Sequence, residues 1–216
     1  MNTFDFIIKK YNLNIGSQYI VNIPNMGRDN LAKLFAELNF TVGAEIGVWR
    51  GEYSETLCKA NPNLHLYSVD SWQLSSYEPL EQETALNAPQ SYFDSKYNEA
   101  VQRLAPYNCT IVKKDSIPAL EDFKDNSLDF VYIDANHDFV NFTNDLHYWM
   151  KKVKVGGIMS GHDFAYFSYK KFNHVKRALI AYARCYRMIP LFVVGADEYQ
   201  DGIIRDKYRS WFWVKI

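Results

Sequence analysis

Short apolar runs alternate along this chain with longer stretches in which apolar residues recur every three or four positions. That alternation predicts strands and helices in turn. An apolar segment ending Ala44-Glu45-Ile46 reads as a buried strand, residues 64–69 as a second, 109–112 as a third, 127–133 as the strongest and 158–160 as a fifth. Leu31, Leu34, Phe35 and Leu38 predict a helix over 28–39, with Asp29 or Asn30 available near its start as a cap. Helical character follows the first strand over 53–60, and helical spacing recurs at Phe93, Tyr97, Val101 and Leu104. It returns at Phe139, Phe142, Leu146, Trp149 and Val153, and again at Phe172, Val175, Leu179, Tyr182 and Tyr186. Residues 191–194 and 211–216 read as two final strands, joined by the polar stretch 197–209. Strands and helices in strict alternation call for an α/β fold with a mostly parallel sheet and right-handed crossovers.

Two stretches break the pattern. Residues 1–27 combine a short amphipathic segment (Phe4, Phe6, Ile7, Ile8) with an extended lead-in over 18–24, and a lid or a dimer contact would both fit. Residues 71–90 are rich in Ser, Glu and Gln, and Pro79 and Pro89 interrupt any long helix. This insertion follows the C-terminal end of a strand, where open α/β sheets bind ligands, so it is either a cover for a site or a solvated loop.

The stretch Val42 to Ser54 reads as strand, glycine turn and helix, with Gly47 and Gly51 in the turn. Glycine lets a ligand approach the backbone, and the first N–H groups of a helix have no partner of their own, so a nucleotide-like cofactor fits across this turn. The spacing Gly-x-x-x-Gly lacks the dinucleotide fingerprint G-x-G-x-x-G. Asp70, ending the second strand, stands where an acid would meet a ribose hydroxyl pair; a loop cap is its plainer reading.

Composition narrows the field. A chain of 216 residues suits one α/β domain rather than two, expected as an extension over 1–40, a cofactor-binding core over 41–164 and a C-terminal part over 165–216. With 24 Lys+Arg against 25 Asp+Glu, no general attraction to nucleic acid or to an acidic membrane follows. The helix around 170–187 is locally basic; a solvated face is its simpler reading, an anionic substrate or partner the other. Cys58, Cys109 and Cys185 form no metal-ligand or disulfide spacing, which points to a reducing, cytoplasmic compartment. The N-terminus has the wrong order and length for a signal peptide, and no segment approaches a membrane span.

The ordered motifs resemble a known family. Glu45-Ile46-Gly47-Val48-Trp49-Arg50-Gly51, Asp70, Asp115-Ser116, Tyr132-Ile133-Asp134-Ala135-Asn136-His137, and Gly156-Gly157 before Gly161-His162-Asp163-Phe164 resemble class I S-adenosylmethionine-dependent methyltransferases. The resemblance covers about 41–164 and is nearest to the small metal-dependent O-methyltransferases of sugars and macrolide glycosides. It implies a Rossmann-like, doubly wound, mostly parallel seven-stranded sheet with a final antiparallel strand. It also implies that Glu45 meets the amino end of the methionine moiety and that Gly47, Val48 and Gly51 border the cofactor. Asp70, with Ser71 beside it, would take the ribose hydroxyls, Asp115 and Ser116 would border the adenine edge, and Trp72, or Trp49 as the alternative, would offer adenine a flat face.

Methyl transfer to an alcohol needs a base, a metal or both, because an alcohol is about as weak an acid as water, whose pKa of about 15.7 a metal ion can lower to about 7. The resemblance assigns a divalent cation, Mg²⁺ or Mn²⁺, to Asp134, His162 and Asp163. Imidazole is a ligand that Mg²⁺ seldom chooses, so His162 turns away, or a softer metal binds, or none does. The carboxylates of Asp134 and Asp163 would otherwise cap loops or helices, a role Asp138 can equally fill. His137 stands where relatives carry a catalytic base, and an ordinary histidine pKa of about 6.5 suits that work. His147 and His174 read as surface or packing residues.

The expected function is thus S-adenosylmethionine-dependent O-methylation of a small hydroxylated acceptor, a sugar or glycosylated metabolite, with Asp134 and His137 catalytic. The rivals are an NAD-dependent oxidoreductase and a catalytically silent binding module that keeps the fold. The expected partner is a small molecule, with no nucleic acid and no membrane; relatives often form homo-oligomers, and no interface is legible in this chain.

Overall fold

The computed structural model describes residues 1–73, 88–166, 174–196 and 198–216. Eight strands, β1 (Ile20–Ile23), β2 (Val42–Ile46), β3 (His65–Asp70), β4 (Cys109–Lys113), β5 (Leu128–Ile133), β6 (Val153–Gly161), β7 (Leu191–Val194) and β8 (Trp211–Val214), form one sheet in the order β1-β7-β8-β6-β5-β2-β3-β4. All pairs are parallel except those of β8, which runs antiparallel between β6 and β7. Seven of these strands are the expected sheet. The eighth, β1, is the extended lead-in over 18–24, which finds a partner for its backbone along β7.

Helices α1 (Thr3–Lys10), α2 (Arg28–Glu37), α3 (Glu52–Ala60), α4 (Gln90–Leu104), α5 (Ser116–Ala119), α6 (Phe139–Lys152) and α7 (Val175–Tyr186) complete the chain order. The two faces of the sheet bury different helices. On β5, Val131 and Ile133 pack with Phe142, Leu146 and Trp149 of α6 and Val175 and Leu179 of α7. Phe130 and Tyr132 face the other way, into Leu31, Leu34 and Phe35 of α2 and Tyr53 and Leu57 of α3. That two-residue alternation is how a strand buried on both sides feeds two helical layers. A smaller cluster, Val48, Trp72, Phe93, Ala100 and Leu104, seats α4.

Several expectations are corrected in detail. Phe139 is 53% exposed at the start of α6, and Val153 opens β6 instead of ending the helical stripe. Gly156-Gly157 lies inside β6, where the register slips between Leu128 and Phe130 and Gly156 takes φ +80. The glycines therefore form a bulge within the strand, a place that needs a left-handed residue. On α4 the buried position is Ala100, while Val101 is exposed. At the start of α2, Asn30 Oδ1 accepts from Gly27 N–H at 3.0 Å, so Asn30 rather than Asp29 supplies the cap. The insertion over 71–90, read as either a cover or a solvated loop, falls mostly, and Lys170, Lys171 and Phe172 wholly, outside the described residues. Cys58, Cys109 and Cys185 are free thiols, and among the described residues no helix is long and apolar enough to cross a membrane.

Candidate active site

The carboxyl ends of β2, β3, β4 and β5 surround a cavity of about 460 Å³, within the usual size of small-molecule sites. The glycine turn closes its floor. Gly47 N–H donates to Val69 O at 2.9 Å, and Asp134 N–H donates to Ile46 O at 2.8 Å, so the three strand ends are tied together. Gly47 has φ +89, and a Cβ placed on it would lie 2.1 Å from the Asp134 carbonyl oxygen. The glycine is required by the neighbouring strand end as much as by any ligand. Gly51 stands behind the turn as the left-handed N-cap of α3, its N–H bonded to Val48 O at 2.8 Å.

Asp70 holds the turn from β3. Its Oδ2 accepts from Val48 N–H at 2.8 Å and from Trp49 N–H at 2.9 Å, and its Oδ1 accepts from Trp72 N–H at 2.8 Å. Three of the carboxylate's roughly four acceptor sites are thus taken by backbone. Glu45, Gly47, Val48, Trp49, Ser71, Asp115 and Ser116 all line the cavity with it. Trp72 does not: it is 1% exposed, its indole donates to Trp49 O at 2.7 Å, and its ring meets Tyr97 edge-on at 5.1 Å. The expectation that Trp72 offers a face to adenine is corrected by its packing beneath α4; Trp49 is the tryptophan at the cavity wall.

Glu45 is buried at the inner end, where its carboxyl accepts from Ser54 Oγ, itself 2.7 Å from Ser68 Oγ. Burial pushes the Glu45 carboxyl well above the ordinary range, against the lowering effect of the Ser54 bond, and the Asp134 charge adds to the rise. Arg28, at the start of α2, lines the same wall; its guanidinium lies 4.0 Å from Asp134 Oδ2 and 5.3 Å from the centre of the Tyr53 ring.

Asp134, His137, His162 and Asp163 gather where β5 and β6 end. His137 Nε2 lies 2.9 Å from Asp163 Oδ2 and 3.7 Å from Asp134 Oδ1. His162 Nδ1 lies 3.5 Å from Asp163 Oδ2 and 3.9 Å from Asp134 Oδ2. His162 is held by backbone on both sides: its N–H donates to Ile133 O at 3.0 Å and its carbonyl accepts from Trp211 Nε1 at 2.8 Å. Asp163 sits in the left-handed region at φ 67, which turns its side chain back toward β5. Burial would raise the Asp163 carboxyl, but the two imidazoles hold it well below the usual carboxylate range. Burial would likewise lower His162, and the Asp163 hydrogen bond with the Asp134 charge raises it instead. Donor atoms of Asp134, His162 and Asp163 all lie within 4.8 Å of one another, a spacing a single metal ion could span. Helix capping at this end falls to Asp138, whose Oδ1 accepts from Val140 and Asn141 N–H, both at 3.0 Å.

A second cavity, also about 460 Å³, adjoins on the far side of Arg28 and is lined by His162, Asp29, Ile204, Asp206 and Tyr208 among others. Arg28 belongs to both cavities. Sequence reasoning missed Arg28 and Tyr53, which look like ordinary members of packing helices. It also missed Asp145 of α6, which lines the first cavity near Ser116. One signal for Asp145 was present: an acid between Phe142 and Trp149 on an otherwise buried stripe.

Residues 44–164 match a family model described as a methyltransferase domain. No curated protein sequence matches the chain. Among solved structures, the O-methyltransferase from Bacillus cereus in complex with SAH is similar at TM-score 0.59 and 12% identity, over 99% of this chain and 90% of that one. The O-methyltransferase TomG from Streptomyces achromogenes, involved in tomaymycin synthesis and solved with SAM, is similar at TM-score 0.57 and 15% identity, over 97% and 86%. With the family match spanning more than half of its length on this strand order, the chain belongs to the methyltransferase-domain family and has the class I S-adenosylmethionine-dependent fold.

Proposed function

We propose that this chain is an S-adenosylmethionine-dependent O-methyltransferase that acts on a hydroxyl of a small acceptor, a sugar or glycosylated metabolite. The observation that carries the reading is the adjacency of two cavities about Arg28, with Asp134 facing the first and His162 the second. Oxygen as the acceptor atom is supported by the activity named for the two fold neighbours. A hydroxylated acceptor suits the Asp, Arg, His and Tyr side chains of the second cavity, which can hydrogen-bond several hydroxyls at once.

In this reading S-adenosylmethionine supplies a methyl group activated by positive sulfur. Glu45, buried and held by Ser54, lies ready to accept hydrogen bonds from the amino end of the methionine portion. Asp70 keeps one acceptor site on Oδ1 for the ribose while it fixes the turn. Asp115 and Ser116 border the base, with Trp49 at the wall. His137 removes the acceptor proton: with Nε2 toward Asp163, the carboxylate orients the imidazole and strengthens it as a base.

The donor set fits a divalent cation, since two carboxylates and an imidazole converge from adjacent strand ends. Asp134, His162 and Asp163 would hold it, and the imidazole favours Mn²⁺ or another borderline ion over Mg²⁺. When bound, such an ion supplies Lewis acidity that eases loss of the acceptor proton. The free cysteines fit a reducing, cytoplasmic compartment.

Calorimetric titration with S-adenosylhomocysteine, repeated with Mg²⁺, with Mn²⁺ and with a chelator, tests the reading. Micromolar binding is expected, and any strengthening by Mg²⁺ or Mn²⁺ that the chelator abolishes tests the Asp134, His162 and Asp163 site. No binding under any condition would sink the methyltransferase reading.

A further inference from the structure

Asp145 is a carboxylic acid on the buried stripe of α6, 3% exposed, yet it lines the first cavity beside Asp115, Ser116 and Asn141. Its Oδ1 accepts from Ser116 Oγ at 2.5 Å, and Ser116 Oγ accepts from Trp149 Nε1 at 2.8 Å. An indole N–H can only donate, so it takes one Ser116 lone pair and leaves the serine proton for Asp145 Oδ1. With Oδ1 so engaged, Oδ2 is the carboxyl atom left for a ligand in the cavity that Asp145 lines.

The geometry points to Asp145 as a specificity-determining residue of the cofactor site, donating an Oδ2–H proton, in its neutral form, to a ring nitrogen of the purine. This rests on the cofactor reading above, which puts the base beside Ser116. Ring nitrogens of adenine that are not bonded to ribose offer lone pairs and no protons, so an ionised carboxylate would repel them while a neutral one bonds to them. The surroundings favour the neutral form: burial raises the carboxyl, the Ser116 bond lowers it, and Asp138 at the start of α6 raises it, leaving it at about 7. At the start of α5 the facing groups are Asp115 and Ser116, after β5 Asp134 lines the same cavity, and α7 meets α6 through Tyr182 and His147. The one cation among the described residues that line this cavity is Arg28, whose guanidinium lies 4.0 Å from Asp134. A ligand filling the cavity displaces water and favours the neutral acid further, as in other sites where a buried carboxylic acid is kept protonated to donate.

The test is a calorimetric titration of S-adenosylhomocysteine into the full chain and its Asp145→Asn variant between pH 6 and pH 8. Wild-type affinity should fall about tenfold across that range, because the acid must regain its proton to bind. Asp145→Asn, whose amide N–H can stand where the Oδ2–H does, should bind like wild type at pH 6 and keep that affinity at pH 8. Wild-type affinity that is flat or rises with pH overturns the proposal; a rise would mean that the ionised form accepts from the 6-amino group. So does a pH slope that survives in Asp145→Asn, or a folded variant that binds weakly at pH 6. Should the variant not fold, binding heats of the wild type in buffers of different ionisation enthalpy decide: uptake of about one proton at pH 8 supports it and none overturns it. Absence of wild-type binding at every pH overturns the cofactor reading and this inference together, whereas binding without the slope overturns this inference alone.

Discussion

His137 Nε2 and Asp163 Oδ2 lie 2.9 Å apart, bridging the loop after β5 and the end of β6. The pair joins the proposed base to a carboxylate that also belongs to the proposed metal cluster. His137→Ala should lower turnover by about 10²- to 10⁴-fold, the ordinary share of a positioned base. Affinity for S-adenosylhomocysteine should change little, since His137 is not among the residues that line the first cavity. Steady-state kinetics beside calorimetry would separate the two; joint loss of turnover and affinity would contradict the role given to His137.

Asp70 is a structural residue before any ligand arrives, because the N–H groups of Val48, Trp49 and Trp72 all donate to it. Asp70→Ala should therefore lower the stability of the ligand-free protein by about 2 kcal/mol, the cost of leaving part-buried donors unpaired. Thermal unfolding without ligand reads this directly. An unchanged melting temperature would mean that water replaces the carboxylate without loss.

Gly47 and Gly202 both have positive φ, but only Gly47 has a backbone oxygen where a Cβ would go. Gly47→Ala must push apart the ends of β2 and β5, and should cost more than about 4 kcal/mol. Gly202→Ala meets nothing within 4 Å, so only the strain of its left-handed backbone remains, about 1 kcal/mol. Denaturant unfolding of the two variants should separate them clearly, and equal costs would refute the close approach at Asp134.

Asp145 also makes stability depend on pH. Its carboxyl titrates at about 7 in the folded chain, against about 3.9 for an ordinary aspartate. Between those values the folded protein holds a proton that the unfolded chain has lost. Stability therefore falls as pH rises from about 4 through about 7, by up to about 4 kcal/mol from this group. Asp145→Asn should flatten that slope and raise the melting temperature at pH 8. Parallel wild-type and variant profiles would show that burial of Asp145 carries no such cost.

Much of this was legible in the chain because apolar periodicity is a local record of burial. Phe130 and Val131 sit on opposite faces of β5, and their neighbours in sequence alone say that the strand is buried on both sides. The strand-end residues Asp70, Asp134, His162 and Asp163 could be placed for the same reason, since a strand's end is where its side chains reach a ligand crevice. Trp72 misled because an aromatic side chain next to a site has the same sequence signature whether it faces the cavity or the core.

The sequence by itself determined the alternation of strands and helices along the chain, the glycine turn and which acids end which strands, because each follows from near neighbours along the chain. Only the tertiary structure decided how those ends are spent. Asp70 is mostly occupied by backbone donors, Gly47 is required by the Asp134 carbonyl, His137 faces Asp163, and Arg28 from α2 joins two cavities. Each is a contact between strands or helices far apart in the chain, set by parallel pairing and crossover packing, and no local pattern of residues encodes it.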